Sequence, residues 1–260
     1  MILLSFDIEE FDMPFEYGKD ITFENQIAVS ARGTEIILDL LKKHNVKATF
    51  FSTATFAIHI PELLKRIIDE GHELASHTYY HSSFNVIDLV NSKKKLEELT
   101  QTEVVGFRMP RMQPVDEKEI FLAGYTYNSS INPTYLPGRY NNLDKPRIYY
   151  KQDGVWQIPA SVSPIVRFPL FWLSFHNLPL WLYKLIANWT YKKDGYLNIY
   201  FHPWEFTNLK NKEAYNFPGY VSKNSGEQMT KRVDNFISWL KEKNIPFGTF
   251  KSFLERHQLD

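Results

Sequence analysis

Asp7 and Glu9 stand one residue apart at the end of an apolar run that begins at Ile2. On an extended strand alternate side chains share a face, so both carboxylates point one way and Ile8 the other. Two carboxylates held close repel each other unless a cation or a proton lies between them. Farther along, His77 and His81 are four apart, a spacing that aims both imidazoles alike if they ride one helical turn. Two neutral imidazoles and one carboxylate leave room for water, as in hydrolytic zinc and non-haem iron sites. The plain alternatives are a solubilising acidic turn and a chance pair among eight histidines. Against them stands one shared circumstance: each cluster follows an apolar, strand-like run.

The same placement recurs downstream. Val104 to Phe107 leads into Arg108, Met109, Pro110 and Arg111, and Leu197 to Phe201 leads into His202, Pro203, Trp204 and Glu205. A lone histidine is most often a buried core residue, and its place after a strand is what favours a role for His202. Its other ring nitrogen could be held by Glu205 or by Asp116. Arg111 reads either as a substrate contact or as half of an ion pair, with the ion pair ahead. Trp204 and Tyr79 could floor a sugar site, although the default for an aromatic is the core. The remaining histidines, His44, His59, His72, His176 and His257, read as structural.

These clusters need a scaffold that ends many strands at one rim. Helical periods run from about Ala31 to His44, Pro61 to Glu70, Val86 to Thr100, Val115 to Ala123 and Glu227 to Lys243, with Phe11 to Asn25 an aperiodic loop. Strands at Val46 to Ser52, His72 to Ala75, Tyr125 to Ser130 and Phe247 to Phe250 alternate with them. Alternation of this kind argues for parallel βαβ units, and a barrel built from them gathers its site at the C-terminal ends of the strands. The pattern breaks between about 132 and 193, an aromatic-rich stretch that reads as a long insertion over the rim.

Composition narrows the function classes. Thirty basic and thirty acidic residues cancel, which removes the electrostatic case for nucleic acid. Without cysteine there is no disulfide, thiolate metal site or cysteine nucleophile. A chain of 260 residues suits one catalytic domain, 1–260. Neither a signal peptide nor a transmembrane run is visible, so a cytoplasmic protein is expected. Aromatics make up 16% of the chain. Residues 169–189, with Trp172, Trp181 and Trp189, could lie on a membrane surface, a reading ranked behind a lid packed on the rim.

The ordered series Ser5-Phe6-Asp7-Ile8-Glu9, His77 to His81, Arg108-Met109-Pro110 and Phe201 to Glu205 resembles the motifs of the NodB-homology polysaccharide deacetylases, carbohydrate esterase family four. Ala48 to Phe51 and Glu70 to His77 resemble that family's framing segments. The resemblance implies an α/β fold, a distorted (β/α)7-type barrel with parallel strands. It also implies a divalent metal, zinc foremost, and removal of an N-acetyl group from a sugar of a polysaccharide, oligosaccharide or lipid-linked glycan precursor. By it Asp7 is the catalytic base, Arg108 holds the base, His202 is the general acid, and His77 and His81 bind metal. The commonest first motif has adjacent aspartates; here Ile8 takes the second place, so Glu9 is expected as third ligand and Glu10 should face away. Relatives often carry Asp where Asn128 stands. A C–N hydrolase of a small non-sugar amide and a non-catalytic glycan-binding relative remain the alternatives.

Overall fold

Every side chain of strand β1 (Ile2–Ile8) is buried, as expected of a central strand in a parallel sheet covered on both faces. The chain then alternates through α1 (Phe23–His44), β2 (Thr49–Ser52), α2 (Ala54–His59), α3 (Pro61–Asp69) and β3 (Glu73–Ser76). It continues through α4 (Ile87–Thr100), β4 (Gly106–Phe107), α5 (Glu117–Leu122) and β5 (Tyr127–Asn128). Two hairpins follow, β6 (Tyr135–Leu136) with β7 (Tyr140–Asn141), and β8 (Tyr150–Gln152) with β9 (Val155–Gln157). Next come α6 (Trp172–Asn177), α7 (Leu180–Asp194) and β10 (Leu197–Phe201). Short helices α8 (Lys212–Tyr215) and α9 (Gly219–Ser222) precede α10 (Glu227–Glu242), β11 (Phe247–Gly248) and α11 (Phe250–His257). This computed structural model describes residues 1–258.

The sheet runs β10-β1-β2-β3-β4-β5-β9, all parallel, with β8 antiparallel at the edge and β11 beside the start of β1. Its two ends are stitched outside the strand ladder. The Ser161 N–H donates to the Asn198 carbonyl at 2.9 Å, and Asn198 Nδ2 donates to the Ile158 and Pro159 carbonyls, each at 3.0 Å. The fold is thus the curled, mostly parallel α/β barrel the motifs imply, its ends joined by one backbone hydrogen bond and by the Asn198 side chain.

Helix α1 starts at Phe23, well before the apolar period that announces it at Ala31. The Thr22 side chain caps it by accepting from Asn25 N–H, and its early buried residues are Gln26 and Ser30. A polar inner face leaves no hydrophobic rhythm to read. At its middle, a Cβ on Gly33 would meet the Pro203 carbonyl oxygen at 1.9 Å, so this helix lies directly on the loop that follows β10. Only a residue without a side chain permits that approach.

Within 132–193, β8 and β9 extend the sheet, and α7 packs on β10 and α10. The cover over the rim is the remainder, chiefly the β6–β7 hairpin and α6. Residues 169–189 therefore divide: Phe171, Trp172 and Leu173 line the cavity below, whereas Trp181, Leu185 and Trp189 face outward from α7. No helix among the described residues is long and apolar enough to cross a membrane.

Candidate metal and catalytic centre

The alternation of β1 does what its spacing predicts. Asp7 and Glu9 both reach a cavity of about 290 Å³ at the C-terminal end of the sheet, which His77, His81 and His202 also line. Ile8 packs in the core on the other side. Glu10 is buried away from the cavity, where it accepts from the Thr53 hydroxyl. Burial raises the Glu10 carboxyl above its ordinary value, and the Thr53 hydrogen bond only partly offsets this.

Glu9 Oε2 lies 3.1 Å from His77 Nε2 and 3.1 Å from His81 Nε2. All three side chains are buried, and they form the metal-capable group found among the described residues. The separations suit a small divalent cation, because bonds of ~2.05 Å at tetrahedral angles put ligand atoms ~3.3 Å apart. Behind each imidazole stands an oxygen, as behind ligating histidines. His77 Nδ1 donates to the Arg108 carbonyl at 2.7 Å, and His81 Nδ1 lies 2.9 Å from Asp12 Oδ1. The donor set and its support thus fit a divalent metal ion.

The electrostatics agree with a cation site. Burial works to raise the Glu9 carboxyl, but His81, with His77 and His202, outweighs it and holds that carboxyl well below the usual carboxylate range. Burial likewise works to lower His81; the charges of Glu9 and Asp12 overcome it and raise this imidazole. One local expectation needs correcting. Residues 77–81 are not a helical turn. Thr78 adopts φ 68° and its hydroxyl donates to the Tyr80 carbonyl at 2.8 Å, so an irregular loop brings the two rings to 5.9 Å.

Asp7 flanks this triad. The fully buried Arg108 donates from Nη1 to Asp7 Oδ1 at 2.6 Å and to Ser5 Oγ at 2.9 Å, and from Nε to the Ser129 carbonyl at 2.9 Å. Asn128, where relatives often carry Asp, stays clear of the cavity. It donates to Gln157 Oε1 and accepts from the Ser130 hydroxyl, whose oxygen in turn accepts from Met109 N–H at 2.8 Å. Its part is to brace the loop that presents Arg108.

His202 enters opposite, with Nε2 3.9 Å from Asp7 Oδ2. Of the two candidates for its other nitrogen, the structure selects Glu205, whose Oε1 lies 2.9 Å from Nδ1; Asp116 instead caps α5. Glu205 has a second partner that sequence reasoning set aside as structural. His176 Nε2, from the rim cover, lies 2.8 Å from Glu205 Oε2, and its Nδ1 faces the Lys223 carbonyl at 2.5 Å. Burial works to lower His202, but the Glu205 hydrogen bond, then Glu9 and Asp7, raise it above the ordinary imidazole value. A step that needs protonated His202 is lost as pH rises through that value. Glu205→Gln removes the charge that sustains it, so the alkaline limb of the kcat/KM profile should move to lower pH. An unmoved limb would remove His202 from the acid role.

The remaining assignments sort by position. Trp204 is buried, stacks on His202 at 4.6 Å and points Nε1 at Glu9 Oε1, 3.4 Å away. Arg111 lines the cavity with its guanidinium engaged by Asp12 and Glu16, the ion-pair alternative. Tyr79 is not brought to the cavity: it lies against Tyr80 in a separate depression beside α4. Asp12, Trp172 and His176 are the site residues that sequence reasoning missed. For Asp12 a signal existed, the fourth carboxylate in the six residues from Asp7 to Asp12.

Residues 20–119 match a family described as polysaccharide deacetylase. A peptidoglycan-N-acetylglucosamine deacetylase of Bacillus cereus is 35% identical over 105 residues, covering 40% of this chain and 34% of that protein. The chain spans about a third of the length of the first curated relatives it matches. A Mycobacterium smegmatis structure, whose own description proposes a polysaccharide deacetylase, superposes over 98% of this chain and 88% of its own at a TM-score of 0.64 and 17% identity. A CE4-family pseudoenzyme from Bacillus anthracis covers 98% of this chain and 65% of its own at a TM-score of 0.55 and 16% identity. Identities this low speak for the fold alone. Residues 20–119 are thus similar to the polysaccharide deacetylases, and the chain as a whole shares the fold of the solved structures.

Proposed function

We propose that this protein is a metal-dependent hydrolase that removes an N-acetyl group from a sugar of a glycan or glycan precursor. The observation that carries the reading is convergence: Asp7 and His202 flank the Glu9, His77 and His81 triad in one cavity. A divalent metal, zinc foremost, would be held by those three side chains and would supply Lewis acidity, activating water and polarising the acetyl carbonyl. Asp7, aimed by Arg108, takes the proton of the attacking water. His202, anchored at Nδ1 by Glu205, presents Nε2 to protonate the departing amine. Trp204, Trp172 and Tyr200 wall the reacting centre with aromatic surface, the kind on which a sugar ring stacks. The glycan assignment is supported by the peptidoglycan-deacetylase relative, whose matched stretch is 35% identical.

An acetate-release screen of the zinc-loaded chain tests this, spanning N-acetyl monosaccharides, oligomers, lipid-linked sugars and small non-sugar amides. Release from at least one N-acetyl sugar, abolished by chelation, is the expected result. Release only from small amides would move the protein to the alternative hydrolase class. Metal binding without any release would favour a glycan-binding role.

A further inference from the structure

Arg111 is held in a backbone conformation that its side chain disfavours. Its φ is 55° and that of Met112 is 52°, two consecutive non-glycine residues in the left-handed region. Left-handed backbone is unfavourable for any residue that carries a Cβ. Strain of this kind persists where the surroundings demand it, and it gathers at functional sites. From this backbone the guanidinium engages three neighbours. Nη2 donates to both Asp12 oxygens, at 3.2 and 3.1 Å, Nε to Glu16 Oε1 at 2.9 Å, and Nη1 to the His81 carbonyl at 3.1 Å.

Those contacts close on one ring. Arg111 grips the backbone of His81 directly, and it grips the carboxylate that stands 2.9 Å from His81 Nδ1. That nitrogen has no aligned hydrogen-bond partner of its own, so the Asp12 charge is what favours a proton on it. With the proton on Nδ1, Nε2 keeps its lone pair and faces Glu9. The loop after β4 thereby orients both ring histidines of the triad: His77 through the Arg108 carbonyl, His81 through Arg111 and Asp12.

We propose that Arg111 is a positioning residue of the metal centre, acting through Asp12 to hold His81 in the ligating orientation. The inference rests on reading Glu9, His77 and His81 as metal ligands, and the test separates the two. Zinc affinity of the full chain is measured by competition with a chelator for wild type, Asp12→Asn, Arg111→Gly, Arg111→Asn and the Asp12→Asn/Arg111→Gly pair. Glycine and asparagine both tolerate the left-handed backbone, so either keeps the test alive if the other misfolds. Each single variant should bind zinc about 10–100-fold more weakly. The pair should be little worse than the weaker single, because the two residues act in series. Melting of the metal-free Arg111→Gly protein should be unchanged or improved, since glycine has no Cβ to strain the left-handed backbone.

Zinc affinity equal to wild type in the singles would overturn the proposal. If KM then rises, Arg111 is a substrate contact; if only the melting temperature falls, it is a structural ion pair. A wild type that binds no zinc would overturn this inference and the metal centre together, whereas equal binding by all variants would overturn this inference alone.

Discussion

Asp7→Asn should lower kcat by ~10²–10⁴-fold, the usual worth of a general base, while zinc still binds. The substitution keeps size and shape but removes the proton acceptor, and Asp7 is not one of the three grouped ligands. It also strips the partner from a guanidinium with no exposed surface. Breaking a buried pair on one side costs about 3 kcal/mol, although Arg108 keeps its bonds to Ser5 and Ser129. Kinetics are therefore compared below the lowered melting temperature, with zinc affinity measured alongside. Retained turnover would move the base elsewhere; lost turnover together with lost zinc would make Asp7 a ligand.

The second large effect concerns the metal itself. Chelation of the wild type, or His77→Ala, should reduce acetate release to background and lower stability together. A ligand present at a thousand times its Kd stabilises a fold by about 4 kcal/mol. For a chain of this size that is roughly 8–16 °C in melting temperature. The pH dependence has a definite sign. Glu9 and Asp12 raise His81 above its ordinary value, so protons compete for Nε2 at higher pH than they would for a free imidazole. Zinc affinity should therefore weaken as pH falls through that raised value and level off above it. A zinc Kd indifferent to pH across the neutral range, or a chelator that leaves both activity and melting untouched, would remove His81 from the centre.

What the sequence made legible is what strict periodicity or chain order carries. Asp7 and Glu9 share a face because β1 alternates, and that inference needs no tertiary knowledge. Arg108 and His202 could be placed because each follows an apolar strand, and strand ends in βα units gather at one rim. The His77 and His81 spacing announced a joint site, yet the conformation that joins them is a loop turned at Thr78, which the helical argument did not contain. Other parts depend on contacts between segments that carry no rhythm. The start of α1 buries Gln26 and Ser30, so its period is silent. His176 meets Glu205 only because α6 folds back over the rim, and Asp12 meets His81 across 69 positions of chain. Tyr79 had the right chemistry two residues from His77, and the same turn at Thr78 accompanies its placement outside the cavity.

The contact between Gly33 and Pro203 bears on how acid and base keep their spacing. His202, the proposed proton donor, sits one residue before Pro203, and the loop that carries it leans on bare helix backbone. A single added methyl at position 33 would act as a wedge, displacing the loop that carries His202 while leaving every polar group of the cavity chemically intact. The distance between the two halves of the reaction is thus guarded by an atom that is missing, at a position with no chemistry of its own.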